Sequence, residues 1–134
     1  MLRALHFVGV STVHTVIALV GCVLLAPAPL MAQKTLTAAE AKSHTGERAT
    51  VCGKIMSTLF AKSRRDSPTF LDVDKPYYDR VFTVLIWGMD RSKFGEPETT
   101  YRGKRICVTG KIADYKGMTV IDASEPSQVK MQQE

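Results

Sequence analysis

The sequence predicts an all-β domain, a small barrel of five short strands with a short helix in front of it and a helical turn between the third and fourth strands. Three observations carry this expectation. Beyond residue 32 the chain breaks into short strand-like runs bounded by Gly, Pro, Asp or Ser, five of them within about 85 residues. A flat antiparallel sheet of that size would leave its edges and one apolar face uncovered, whereas a closed barrel covers both. The chain also writes nearly the same strand twice, VCGKI at 51–55 and ICVTGKI at 106–112, with a cysteine in each.

Residues 1–32 read as a cleaved signal peptide. Arg3 supplies a positive start, no charge occurs from Phe7 to Met31, and TVIALVGCVLLA at 15–26 is the apolar stretch. Leu30-Met31-Ala32 then places a small residue before the polar Gln33, and cleavage is expected after Ala32. A rival reading takes Leu19-Val20-Gly21-Cys22 as a lipobox that would leave the protein lipid-anchored through Cys22, although Val23 to Ala26 prolong the apolar run where a polar tether is usual. An uncleaved anchor helix is the third option, opposed by Pro27 and Pro29. The protein is therefore expected to be exported, periplasmic or extracellular, with no stable membrane span after processing.

The remaining elements follow in order. Residues 33–45 hold the short helix, because Thr37-Ala38-Ala39-Glu40 is a capping-box pattern and Gly46 is its stop. Ala49 to Ile55 is the first strand, and the basic stretch Ser57 to Ser67 is a loop or a frayed strand end. PTFLDVD at 68–74 is the second strand, followed by turn chemistry at Asp74 and Pro76. VFTVLIW at 81–87, the most apolar run beyond the leader, is the third strand. MDRSKFG at 89–95 suits one helical turn, and GEPETTYRG at 95–103 reads as loop. Lys104 to Ile112 is the fourth strand, Asp114 to Gly117 a hairpin connection, and Met118 to Ile121 the fifth. The barrel domain is expected over 46–130, with a flexible tail at 131–134.

Side-chain parity sorts the repeated strand into two faces. Ala49, Val51, Gly53 and Ile55 share one side in the first copy, as do Ile106, Val108, Gly110 and Ile112 in the second. Both cysteines then fall on the outer, polar side. In an exported chain the even pair Cys52 and Cys107 reads as a disulfide, since that compartment is oxidising. The same parity in the third strand sends Phe82, Val84 and Ile86 into the barrel and Thr83, Leu85 and Trp87 outward.

The elements GERATVCGKI at 46–55, PTFL at 68–71, VFTVLIWG at 81–88, VTGKI at 108–112 with YKG at 115–117, and EPSQV at 125–129 carry a resemblance. Together they resemble the OB-fold modules of the nucleic-acid-binding superfamily, of the kind found in small exported bacterial proteins and sometimes fused to nuclease domains. The resemblance covers nearly all of 46–130. It implies a five-stranded OB-fold (Greek-key) barrel whose first and fourth strands are neighbours, which makes a cross-strand Cys52–Cys107 bridge geometrically possible. It also implies that ligands lie across the outer face of the second and third strands, between two flanking loops. The candidate nucleic-acid-binding residues are Lys62, Arg64 and Arg65 in the first loop, Tyr77, Tyr78 and Arg80 after the second strand, Trp87 closing the third, and Tyr115 with Lys116 in the last hairpin. Each also has a plainer reading: Trp87 beside Leu85 as packing, Tyr77 and Tyr78 as barrel-end caps, the loop cations as solvated charge, and Tyr115 to Gly117 as a turn.

Residues 33–134 carry 17 basic and 13 acidic residues, a net charge near +4. That mild excess suits a polyanionic partner and falls short of a protein that coats nucleic acid non-specifically. No catalytic constellation is expected: His44 is the single histidine beyond the leader, and Asp72 with Asp74 is too few oxygen ligands for a metal site. Neither a metal nor a cofactor is expected. Two functions of different class remain. One is a non-catalytic module for single-stranded DNA or RNA outside the cytoplasm, with another exported protein such as a nuclease as a partner. The other is a periplasmic stress-response or protein-interaction module that binds a protein or small ligand through the same face.

Overall fold

The computed structural model describes residues 9, 21, 23–28 and 33–133. The chain divides into two units, Met1–Leu30 and Met31–Glu134. Ala32, where cleavage is expected, and Cys22, the rival anchor, lie outside the described residues, as does most of the leader. Among the described residues no helix is long and apolar enough to cross a membrane.

The second unit opens with β1 (Thr35–Thr37) and α1 (Ala38–Ala41), then a 3-10 turn over Lys42–His44. The expected capping box is present: Glu40 N–H donates to Thr37 Oγ1, and Thr37 N–H donates to the Glu40 carboxylate. That backbone bond holds the Glu40 carboxyl below the ordinary glutamate range. The barrel strands are β2 (Arg48–Phe60), β3 (Thr69–Val73), β4 (Thr83–Ile86), β5 (Arg105–Tyr115) and β6 (Met118–Asp122). Two helices, α2 (Gly88–Phe94) and α3 (Pro97–Thr100), link β4 to β5, and β7 (Val129–Met131) ends the sheet.

Closure follows from the pairings. β2 pairs antiparallel with β3, β3 with β4, β5 with β6 and β5 with β2, while β4 runs parallel to β6. Five strands thus form a closed ring, and β1 and β7 extend it beside β2 and β5. Neither extension is readable from the sequence, because three residues of alternation are too few to mark a strand, and both exist here through the edges they pair with. β7 carries order one residue into the segment expected as a flexible tail, since Met131 pairs with Ile106. The interior holds Val51, Ile55, Leu71, Val73, Phe82, Val84, Ile86, Ile106 and Ile112, all essentially inaccessible. Phe94 and Tyr101 join that core from the β4–β5 connection, and burial pushes the Tyr101 phenol above its usual range. The connection is accordingly more helical than one turn and a loop: α2 has seven residues, and Pro97 starts α3 at the first helical position, where its missing N–H costs nothing.

The repeated strands prove to be register partners. Cys52 stands opposite Cys107, with Ala49 opposite Gly110 and Gly53 opposite Ile106. The two glycines face inward because neighbouring chain passes too close for a side chain. A Cβ on Gly53 would meet Val73 Cγ1 at 2.5 Å, and one on Gly110 would meet Ile121 Cγ2 at 2.7 Å. Ile121 is fully buried and cannot retreat into solvent. Gly110→Ala is therefore expected to overpack the barrel and cost about 1–3 kcal/mol, seen as a lower urea midpoint at an unchanged m-value.

A bulge decides the outer face. β2 keeps odd-numbered residues inward up to Ile55, and the register then shifts between Ile55 and Ser57, leaving Met56 exposed. Beyond the shift Thr58 and Phe60 lie opposite Leu71 and Thr69, so Ser57 and Leu59 come to the outside opposite Asp72 and Phe70. The stretch expected as loop or frayed end is in its first part a strand, and the bulge sets which of its side chains reach the surface.

Candidate functional site

On the outside of β3 and β4 the alternation places Phe70 and Asp72 beside Leu85 and Thr83, in register. Phe70, Leu85 and Val120 form a second, smaller apolar layer on the barrel wall, with Trp87, Tyr115 and Met118 packed against it. Trp87 meets Tyr115 edge to face, ring centroids 5.3 Å apart at 84°. Lys116 Nζ lies 5.3 Å from the Tyr115 centroid. Trp87 thus packs on this layer, as its plainer sequence reading expects, and also borders the surface.

Asp72 is the most buried charge on this face, 1 % exposed. Arg80 Nε donates to its Oδ1 at 2.6 Å and Arg80 Nη2 to its Oδ2 at 3.2 Å. Thr83 Oγ1 donates to Oδ1 at 2.7 Å and Ser57 Oγ to Oδ2 at 2.9 Å. Four donors satisfy one carboxylate, as a buried charge requires. Ser57 Oγ in turn accepts from Tyr77 N–H at 2.9 Å, so the same carboxylate anchors the 3-10 turn Tyr77–Asp79. Asp74, the other strand-end carboxylate, takes φ +64° and accepts from Lys54 N–H instead.

The loop from Ala61 to Pro68 is folded against the barrel. Ala61 N–H donates to Pro68 O, and Gly88 N–H donates to Asp66 O at 2.8 Å. Asp66 and Ser67 both take positive φ to make this turn, and a Cβ on Gly88 would meet Asp66 O at 2.7 Å. Only a glycine at the start of α2 lets the loop dock there. Docking sets Arg64 with its guanidinium carbon 5.7 Å from the Phe70 centroid, and Arg80 approaches the same ring at 5.6 Å.

Two cavities result. One, of about 560 Å³, lies between Arg64, Arg65, Trp87, Tyr115 and Lys116. The next, of about 480 Å³, lies between Leu59, Phe70, Asp72, Tyr77 and Arg80, and it shares Arg64 and Met118 with the first. Tyr77 and Arg80 continue into a third that includes Tyr78. Eight of the nine sequence-named residues therefore line one connected face. Lys62 lines none of these; it borders a depression with Phe60, Met89 and Arg91, which shares Asp66 with the first cavity. There Arg91 stacks 3.8 Å from the Phe60 centroid and pairs with Glu98. Sequence reasoning did not name Ser57, Leu59, Phe70 or Met118 for this face. For Ser57 and Leu59 the signal would have been the parity switch at Met56, which leaves no mark in composition; Phe70 shares the alternation of Asp72 on β3. His44 is remote in role, ending the 3-10 turn with its Nδ1 2.6 Å from Glu47.

A ring of five strands with antiparallel pairs and one parallel pair between the third and the fifth is the OB-fold barrel that the resemblance implied. No family model matches the chain, and no curated protein matches it. Solved structures do. The chain is similar to OBody AM1L10 bound to hen egg-white lysozyme, with a TM-score of 0.54, 17 % identity, and coverage of 77 % of this chain and 97 % of that one. It is also similar to the hypothetical protein ygiW from E. coli, with a TM-score of 0.44, 14 % identity, and coverage of 74 % of this chain and 90 % of that one. At 17 % identity the likeness to the OBody concerns the fold alone.

Proposed function

We propose that this chain is a non-catalytic binding module for single-stranded nucleic acid, working outside the cytoplasm. The observation that carries the reading is the connected pair of cavities, lined by exposed cations together with rings: Arg65, Lys116 and Arg64 with Trp87, Tyr115 and Tyr77. Cations that track phosphates and rings that receive bases are what an unpaired strand needs, and a duplex offers no bases to such a wall. The Cys52–Cys107 bridge supports an oxidising compartment.

Trp87 borders the first cavity, so tryptophan fluorescence reports occupancy. Titration of the 33–134 domain with oligo-dT is expected to give a saturable change. Three phosphates held by Arg64, Arg65 and Lys116 would give a slope of about −2 in log affinity against log salt. Replacing Arg64 and Arg65 together by alanine is expected to flatten that slope by about 1.4 and to weaken binding at low salt. No saturable change in the unmodified domain, with no gel shift, would sink the proposal. A partner protein held by exposed Leu59, Tyr77 and Tyr78 is the rival, and it predicts binding that barely responds to salt.

A further inference from the structure

We infer that the central cavity receives a nucleobase rather than a phosphate, and that Arg80 is the flat floor on which the base lies. This rests on the single-strand reading above and specifies the ligand further.

Arg80 was named from the sequence as a cation for phosphates. In the structure three of its five N–H groups are engaged: Nε and Nη2 face the two oxygens of Asp72 at 2.6 and 3.2 Å, and Nη1 lies against Met118 Sδ. The pair is neutral as a unit. A phosphate entering here would sit beside that buried carboxylate, and the like charge costs free energy. Beside its remaining N–H groups Arg80 offers the cavity the plane of its guanidinium, whose carbon lies 5.6 Å from the Phe70 centroid. Guanidinium planes stack on bases as aromatic rings do. Leu59, Tyr77 and Met118 supply further apolar wall, and a volume of about 480 Å³ lies within the range of small-molecule sites.

Arg64 differs. It forms no ion pair among the described residues and stands where the two cavities meet. The order along the face is then a base on Arg80, a phosphodiester at Arg64, and the next base beside Trp87 and Tyr115. The smallest ligand that uses all three is a dinucleotide.

The test compares oligo-dT with an abasic oligomer of the same length, on the unmodified domain and on Arg80→Lys and Tyr77→Ser, with melting curves for each. The abasic oligomer is expected to bind roughly 5- to 100-fold more weakly. Arg80→Lys keeps the charge and loses the plane, so it is expected to weaken oligo-dT by about 5-fold or more at an unchanged salt slope. Tyr77 is exposed, so Tyr77→Ser is expected to fold and to show the same pattern; it decides the matter if Arg80→Lys does not fold. Wild-type affinity in a folded Arg80→Lys or in Tyr77→Ser, or an abasic oligomer binding as tightly as oligo-dT, overturns the inference while the single-strand reading survives. Failure of oligo-dT to bind the unmodified domain overturns both.

Discussion

Asp72→Ala is expected to destabilise the domain by about 3 kcal/mol, the lower end of the cost of breaking a buried ion pair. The carboxylate is 1 % exposed and its removal leaves Arg80, Thr83 and Ser57 without their acceptor. The lower end applies because the Arg80 side chain is 23 % exposed and recovers part of its hydration. For a domain of this size the melting temperature is expected to fall by roughly 10–20 °C. Asp72→Asn has two acceptor positions fewer and two donors more but keeps one oxygen for the network, and is expected to lose less. The pair's own coupling is read from a double-mutant cycle with Asp72→Leu and Arg80→Met, where the double variant is expected to be more stable than Arg80→Met alone. A loss under about 1 kcal/mol for Asp72→Ala would show that the network is not a structural support.

Reduction of the Cys52–Cys107 bridge is the other large effect. The two residues are direct cross-strand partners, with Cα atoms 4.0 Å apart and 55 positions between them in sequence. Closing a loop of that length removes chain entropy from the unfolded state worth about 4 kcal/mol. A small domain has only ~5–15 kcal/mol in all, so the bridge is a large share. Urea denaturation with and without reductant is expected to differ by that amount, and the Cys52→Ser, Cys107→Ser double variant is expected to match the reduced protein. Thiol titration of the denatured, unreduced domain is expected to find no free thiol. Two free thiols, or coincident curves, would refute the staple.

The two effects differ in how far the sequence announced them. The cysteines stood on matching faces of two strands with the same parity, so their pairing needed only the neighbourhood of those strands. The partnership of Asp72 with Arg80 had no such sign, because Arg80 lies beyond a turn and reads there as one more basic residue. Parity also put Leu85 and Trp87 outside, as observed, with Tyr115 as the neighbour that the sequence did not indicate. For the same reason Lys62 and Arg64, two positions apart, were grouped together; the turn closed by Arg64 N–H donating to Ala61 O lies between them, and they border different depressions.

By itself the sequence determined the barrel strands, the helix cap, the inward glycines and isoleucines of the repeated strand, and the cysteine pair. All of these rest on local periodicity or on spacing, which are properties of a few adjacent residues. The tertiary structure decided the bulge at Met56, the edge strands β1 and β7, the docking of the 61–68 loop on Gly88, and the pairing of Arg80 with the buried Asp72. Each of these depends on which distant group fills a hydrogen bond or a contact, and a one-residue shift in register changes that group without changing any local pattern.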